Sequence, residues 1–354
     1  MGKQKGFNKA STHPDSTDKS TTTAKSISTA TSGFAIQARN NGILNLQSSK
    51  PPANLEDIIK RHARSCETAS PTESRFKRYV NKVKGAGNES TMAHEVSKHM
   101  LKEYDDGGYK TSYNRAFTAF PKDVGFNNGL SAPQPDLVEG LDMEEFRPFP
   151  VGNHIDGAVL YQDDLHSIAF PHLAGEWKGA GKDMEEARLQ SAYTGAAIVY
   201  ARNQALSHIG KPDPPGHAEV TTFATDGTNI NFFAHYAGPS GEDGTLEYHQ
   251  HQFATANVKD TYQGQKDGRR GLRNEQDHAR QQSYTLRVQL KEHWKHRRDG
   301  LHPIAEAVPL PALDCELDET SAYEDEAGYE MVEQPYQPTP AAASIWRIIG
   351  SIWS

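Results

Sequence analysis

Residues 169–206 read AFPHLAGEWKGAGKDMEEARLQSAYTGAAIVYARNQAL. Ala169–Trp177 has the composition of a strand, glycines at 179 and 181 interrupt it, and Asp183 is placed to cap a helix running to about Leu206. Side chains alternate between the two faces of a strand, so Glu176 and Lys178 share a face, roughly 6.5 Å apart along the backbone at about 3.3 Å per residue. A carboxylate and an amine so placed, ahead of a capped helix, suit metal-assisted phosphodiester cleavage. They equally suit a plain ion pair at a strand end. The helix carries small residues on one face, Ala187, Ser191, Ala192, Gly195, Ala196 and Val199, which lets it lie close on a sheet.

Downstream, the turn cluster KPDPPG (211–216) precedes three expected strands, 217–225, 229–237 and 245–253, joined by DGTN and GPSGEDG. Upstream, HIDGAVLYQ (154–162) alternates like a strand, and Asp163 and Asp164 turn it back on 167–177 as a hairpin. In SAPQPDLVEGL (131–141), Pro133 and Pro135 keep the backbone extended. Asp136 then stands at the mouth of a short strand, and Gly140 marks a bulge or a close approach. Three helices are expected before this, from Leu55, over 74–84 and over 91–104. The third has an apolar stripe of Met92, Val96, Met100 and Leu101 and two acids, Glu95 and Glu103, that face either a metal site or solvent. A long polar helix is expected over 270–296, with a seam of Leu272, Ala279, Leu286, Leu290 and Trp294.

The chain has 354 residues, 35% of them hydrophobic, and a net charge of −8. That low apolar share points to an ordered centre with polar ends. Three regions are expected: a disordered, weakly basic tail over 1–52, an α/β domain over 53–300, and a disordered acidic tail over 301–354 ending in a short apolar helix. The first holds seven Lys or Arg against Asp15 and Asp18, and 314–333 holds nine acids and no Lys or Arg. The closing segment over 345–353 groups isoleucines with Trp346 and Trp353 on one helical face, suited to a partner groove or a membrane surface. No apolar run approaches the roughly 20 residues that span a bilayer. Two distant cysteines, Cys66 and Cys315, make no disulfide framework. With no secretory leader apparent, a nuclear or cytoplasmic location is the expectation. Between Tyr262 and Arg298 ten Lys or Arg stand against four acids. This basic helix is the expected route to DNA or RNA, through phosphate neutralisation, unless its charges form a solvated face or complement the acidic tail.

Metal-dependent cleavage needs oxygen ligands for a hard cation and a positive group near the attacking water. Asp136, Glu176 and Lys178 supply these, and Gln190 on the following helix is placed to orient the lysine or the water. A second arrangement is Glu247, His249 and His251, alternating on one strand with His235 nearby, which would suit a transition metal. No phosphate-binding G-x-x-x-x-G-K-[ST] loop and no nucleophile elbow is present.

Pro135-Asp136, Glu176-Trp177-Lys178 and Gln190 together resemble the PD-(D/E)XK nuclease superfamily. More closely, the stretch from about Tyr113 to Lys295 resembles an uncharacterised fungal domain family of that superfamily. The matching segments are FNNGLSAPQPDLVEGL, FPHLAGEWKG, ARLQSAYTGAAIVYARNQAL and GHAEVTTFATDGTNINFFAHY. The resemblance implies a restriction-endonuclease-like mixed sheet flanked by helices. It implies Asp136 and Glu176 as ligands of Mg2+, with Mn2+ as a substitute, and Lys178 as catalytic lysine. An acid from an upstream helix, Glu95, would complete the set. The sequence departs from the pattern in two places. Forty residues separate Asp136 from Glu176, which makes Asp156 a rival ligand, although the Pro-Asp pair favours Asp136. And the position four after Gln190 is Thr194, where related nucleases often have Tyr. Members of such a superfamily also persist as inactive binding or effector-like modules, which is the alternative to a nuclease.

Overall fold

The computed structural model describes residues 26–65, 69–179, 181–241 and 244–301. In chain order the elements are α1 (Phe34–Asn40), α2 (Leu55–Ala63), α3 (Glu73–Gly85), α4 (Glu89–Met100), β1 (Tyr109–Tyr113), β2 (Leu137–Asp142), α5 (Val151–His154), β3 (Ile168–Trp177), α6 (Met184–His208), β4 (Val220–Thr225), β5 (Asn229–Pro239), β6 (Leu246–Asn257) and α7 (Tyr262–Leu301). The six strands form one sheet in sequence order, β1 to β6. Every neighbouring pair is antiparallel except β3 and β4, which are parallel. A parallel pair needs a crossover, and α6 is that crossover. The fold is therefore a mixed α/β sheet flanked by helices.

The helix α6 lies on one face. Asp183 caps it by accepting from the Glu185 N–H at 2.8 Å, and the small residues expected to face the sheet are all buried. Their size is needed, because a Cβ on Gly195 would stand 2.2 Å from His235 Nδ1. The other face is covered by α7 with α2, α3 and α4. The seam Leu272, Ala279, Leu286 and Leu290 is fully buried and Trp294 partly so, as the helical spacing of these residues predicts. Gly140 sits at a register shift between β2 and β3, where a Cβ would meet Ile168 at 2.6 Å. Among the described residues no helix is long and apolar enough to cross a membrane.

Two expectations are corrected. Ordered structure does not begin at residue 53: Phe34, Ala38 and Ile43 are buried in the α6-side core. Phe34 meets Tyr193 edge-on, and bridges tie Ile27 to Leu130 and Ile43 to Tyr248. A few apolar residues in a polar segment suffice when each docks on a preformed surface. Nor is 154–162 a strand, although 158–160 does return antiparallel on 168–170, the Leu160 N–H donating to the Ile168 carbonyl and the Phe170 N–H to the Ala158 carbonyl, both at 3.0 Å. Gly157, at φ +74°, turns the chain beneath Phe120, α5 precedes it, and only Val159 bridges to Ala169. The tail as far as residue 25, the acidic run, the 345–353 segment and both cysteines lie outside the described residues.

Candidate acid and lysine centre at the sheet end

The register of β2 on β3 pairs Leu137 with Gly175 and Val138 with Ala174. Continued by one residue, it sets Asp136 opposite Glu176, on one face, where facing side chains lie about 5 Å apart at Cβ. Asp136 Oδ2 accepts the Trp177 N–H at 2.6 Å, so the side chain extends the pairing that the backbone of β2 has just begun. One residue on, the Lys178 N–H donates to the Thr225 carbonyl at 2.8 Å, prolonging the parallel pairing of β3 with β4. Glu176 and Lys178 are thus anchored from both sides, with Glu176 buried against α6, where Thr194 donates to its Oε1 at 3.3 Å.

The electrostatics follow from this geometry. Burial raises the Asp136 carboxyl to about 6; the Trp177 N–H and Lys178 pull it down, while Glu89 pushes it up. Burial lifts Glu176 well above the ordinary carboxylate range, and the charge of Asp136 lifts it further against Lys178 and Thr194. Lys178, itself buried, holds its Nζ 3.6 Å from Glu89 and 3.8 Å from Glu186. Carboxylates of α4 and α6 therefore contact this ammonium group, and the charges of Asp136, just ahead of β2, and of Glu176 on β3 interact with it from beyond ion-pair distance.

The structure brings Asp136, Glu176 and Lys178 together. Gln190 stands one layer out, donating at 3.5 Å to Glu186 and to Thr29, so it reaches Lys178 only through Glu186. Thr194, one turn further on, is the residue that touches Glu176. Glu95 does not belong to the centre: it accepts from Lys82 at 3.4 Å. Its place is taken by Glu89, because α4 starts two residues earlier than the apolar stripe suggests. The signal was Asn88, whose side chain accepts the Thr91 N–H at 2.8 Å and caps the helix. Asp156 is excluded as well. It lies exposed in the turn after α5, and its charge acts on Tyr200 instead. Glu186 was hidden as one of two ordinary first-turn acids.

Among the described residues no three His, Cys, Asp or Glu form a ready-made metal cage. What Asp136, Glu176 and Glu89 share with a hard-cation site is the donor type, without being gathered into such a cage. Asp136, Glu176 and Glu89 offer only carboxylate oxygens, and two of them carry raised proton affinity that a positive charge would relieve. The histidine alternative does not assemble. His235 pairs with Gln250 across the sheet and so faces away from His249. His235 is buried against Thr222 at 2.7 Å, and His249 stacks on Tyr236 at 4.5 Å.

The basic helix is partly paired within the fold. Arg269 and Arg273 donate to the carbonyls of His99, Met100 and Leu101, the last turn of α4. Arg280 pairs with Asp106, Arg287 with Glu145, and Lys291 donates to the Glu145 carbonyl. These five cations hold the fold together, which leaves a smaller basic surface on the 262–298 segment than its composition implies.

Fold and site together define an α/β protein with an acid and lysine centre where two central strands meet. The chain belongs to the family described as Domain of unknown function (DUF7924), whose model matches residues 67–274. No curated protein and no solved structure matches it. The matched span contains α3 to β6 and every residue of the centre.

Proposed function

We propose that the chain is a Mg2+-dependent, nuclease-like protein acting on phosphodiesters of DNA or RNA, with a restriction-endonuclease-like core. The observation that carries this reading is the convergence of Asp136, Glu176 and Lys178 at adjoining strand ends, with Glu89 beside them. Asp136, Glu176 and Glu89 would hold the ion. A divalent ion supplies a bound water of lowered pKa and offsets charge on the phosphorane-like transition state. Lys178 presents its ammonium group to the same space and would orient the attacking oxygen, while Glu186 and, behind it, Gln190 hold the lysine in place. The segment sequence β1, β2, β3, α6, β4, with one acid just ahead of β2 and one on β3, supports the likeness to the PD-(D/E)XK superfamily.

The alternative, an inactive binding module on the same fold, is favoured by one observation: Lys178 is already engaged by two carboxylates. Purified full-length protein with Mg2+ or Mn2+ and supercoiled plasmid or single-stranded RNA decides between them. Cleavage lost on Lys178→Ala, with an unchanged circular dichroism spectrum, supports the nuclease. Absence of cleavage of every nucleic acid by the native protein rejects it.

A further inference from the structure

From the acid centre a cavity of about 840 Å³ runs under α4 along the opposite face of β1 and β2. Asp136 and Glu89 line its mouth, and Glu139 and Tyr109 lie deeper, with Tyr104, Thr111 and Tyr113. Glu139 is 1% exposed. Its Oε1 accepts from Gln276 at 2.7 Å, but its Oε2 has no partner, and neither has the buried hydroxyl of Tyr109. Buried polar atoms are rarely left so. Burial, with the charge of Asp277 and against the Gln276 hydrogen bond, raises Glu139 to about 8. At neutral pH it is therefore a neutral acid, with an O–H donor beside an engaged carbonyl oxygen. The Tyr109 hydroxyl donates or accepts. Tyr104 and Tyr109 meet edge-on at 5.5 Å, and Tyr113, 54% exposed, stands at the rim. Lys98 and His94 add positive and polar groups along the wall.

We infer that this cavity receives one unpaired nucleobase of a single-stranded substrate, read at its edge by Glu139 and Tyr109 and flanked by the tyrosine rings. The inference rests on the proposed phosphodiester chemistry and narrows it to single strands or unpaired nucleotides. Three residues of strand, about 10 Å, separate Asp136 from Glu139, comparable to the span from a backbone phosphate to the far edge of its base. A planar heterocycle offers faces to aromatic rings and complementary donors and acceptors on its edge. A paired base inside a duplex offers neither.

The test uses full-length protein in EDTA, so that binding is read without cleavage, and fluorescein-labelled oligothymidylate, alone or annealed to oligoadenylate. The single strand should bind about tenfold more tightly than the duplex. Thr111→Trp, at an exposed strand position that lines the cavity, should remove that preference, as should Glu139→Leu. Glu139→Gln, which keeps a donor and an acceptor, should retain it. Thymidine monophosphate carries the same base without neighbouring nucleotides and should bind at least about tenfold more weakly than the strand. Equal affinity for strand and duplex, full preference in a folded Thr111→Trp variant, or equal affinity for the free nucleotide overturns the inference. Cleavage with Mg2+ is scored separately: a nuclease that cuts duplex and single strand alike and ignores Thr111→Trp keeps its reaction and loses this pocket. A protein that binds single strands through Glu139 but cuts nothing keeps the pocket and loses the reaction.

Discussion

Replacing Glu139 by Gln should stabilise the protein, and by an amount that grows with pH. A carboxyl whose folded pKa lies above its unfolded one holds extra protons in the folded state, so its cost to stability rises with pH. Glu139 goes from an ordinary 4.5 to about 8 on folding. Below pH 4.5 the side chain is protonated in both states and costs nothing. Between 4.5 and 8 each pH unit costs about 1.4 kcal/mol, and above 8 the penalty levels off at about 4–5 kcal/mol. At pH 7 it is about 3 kcal/mol, a large part of the total stability of a typical domain. The amide has the same shape, still accepts from Gln276, and never ionises.

Urea unfolding of wild type and Glu139→Gln from pH 4 to 8.5 measures this directly. Other groups contribute their own slopes, Asp136 and Glu176 in the same direction and Glu219 in the opposite one, but they cancel in the difference between the two proteins. The difference should be near zero at pH 4 and favour the variant by about 3 kcal/mol at pH 7. A difference that does not change with pH would refute the reasoning, because it would mean that Glu139 ionises as freely in the folded chain as in the unfolded one.

Three other outcomes follow from the contacts. If the protein cleaves, Glu89→Gln should lower the metal-dependent rate at least about tenfold while Glu95→Gln leaves it unchanged, since only Glu89 faces Lys178; equal effects would return the upstream acid to an open question. Gly195→Ala drives a methyl group into the His235 ring and should cost about 1–3 kcal/mol in urea unfolding; an unchanged midpoint would show that α6 and β5 are not in that contact. Arg202 donates twice to Asp213, at 2.6 and 2.8 Å, and to His172 at 2.8 Å, so Arg202→Ala strands a carboxylate and a buried imidazole and should cost about 3–5 kcal/mol, read by the same unfolding curve; a loss under about 1 kcal/mol would contradict it.

The sheet and its crossover helix were legible in residues 169–206 because each part carried a strong local signal: alternation, two glycines, a capping aspartate and a small-residue face. The alternation of Glu176 with Lys178 likewise placed both on one face. What stayed hidden depends on other kinds of information. The strand reading of 154–162 failed because Gly157 must turn under Phe120, a contact 37 positions away that periodicity cannot register. Glu89 lies outside a helix whose start is set by the apolar stripe at Met92, and only the Asn88 cap brings it into α4. The arginines of α7 looked like a phosphate-binding surface because composition counts charges without showing that carbonyls at the end of α4 already hold them. The first docking segment, 26–52, was lost because its stabilising contacts come from α6 and β6 rather than from its own sequence.

How the molecule treats its buried acids separates scaffold from site. Burial works against Glu275, yet His62 and Arg61 outweigh it and hold the carboxyl below its ordinary range. Glu219, half-buried, is likewise held down against its burial, by His278. Asp142 is kept low, against its burial, by Lys110, the Glu144 N–H and His166. In each case a cation or donor from a neighbouring element compensates the charge, as stability alone would select. Asp136, Glu139 and Glu176 are the opposite case, all pushed upward and all on two adjoining strands or the residue that leads into one. Lys178 is the one cation among them, and it is shared with Glu89 and Glu186. Uncompensated acidity in this part of the sheet, beside the cavity under α4, costs folding free energy that a purely structural role would not explain. A cation at the mouth and a hydrogen-bonding ligand deeper in would each supply the missing partner. On that reasoning Mg2+ should raise the unfolding midpoint of wild type and not of an Asp136→Asn, Glu176→Gln double variant. Equal shifts in both would place the binding elsewhere.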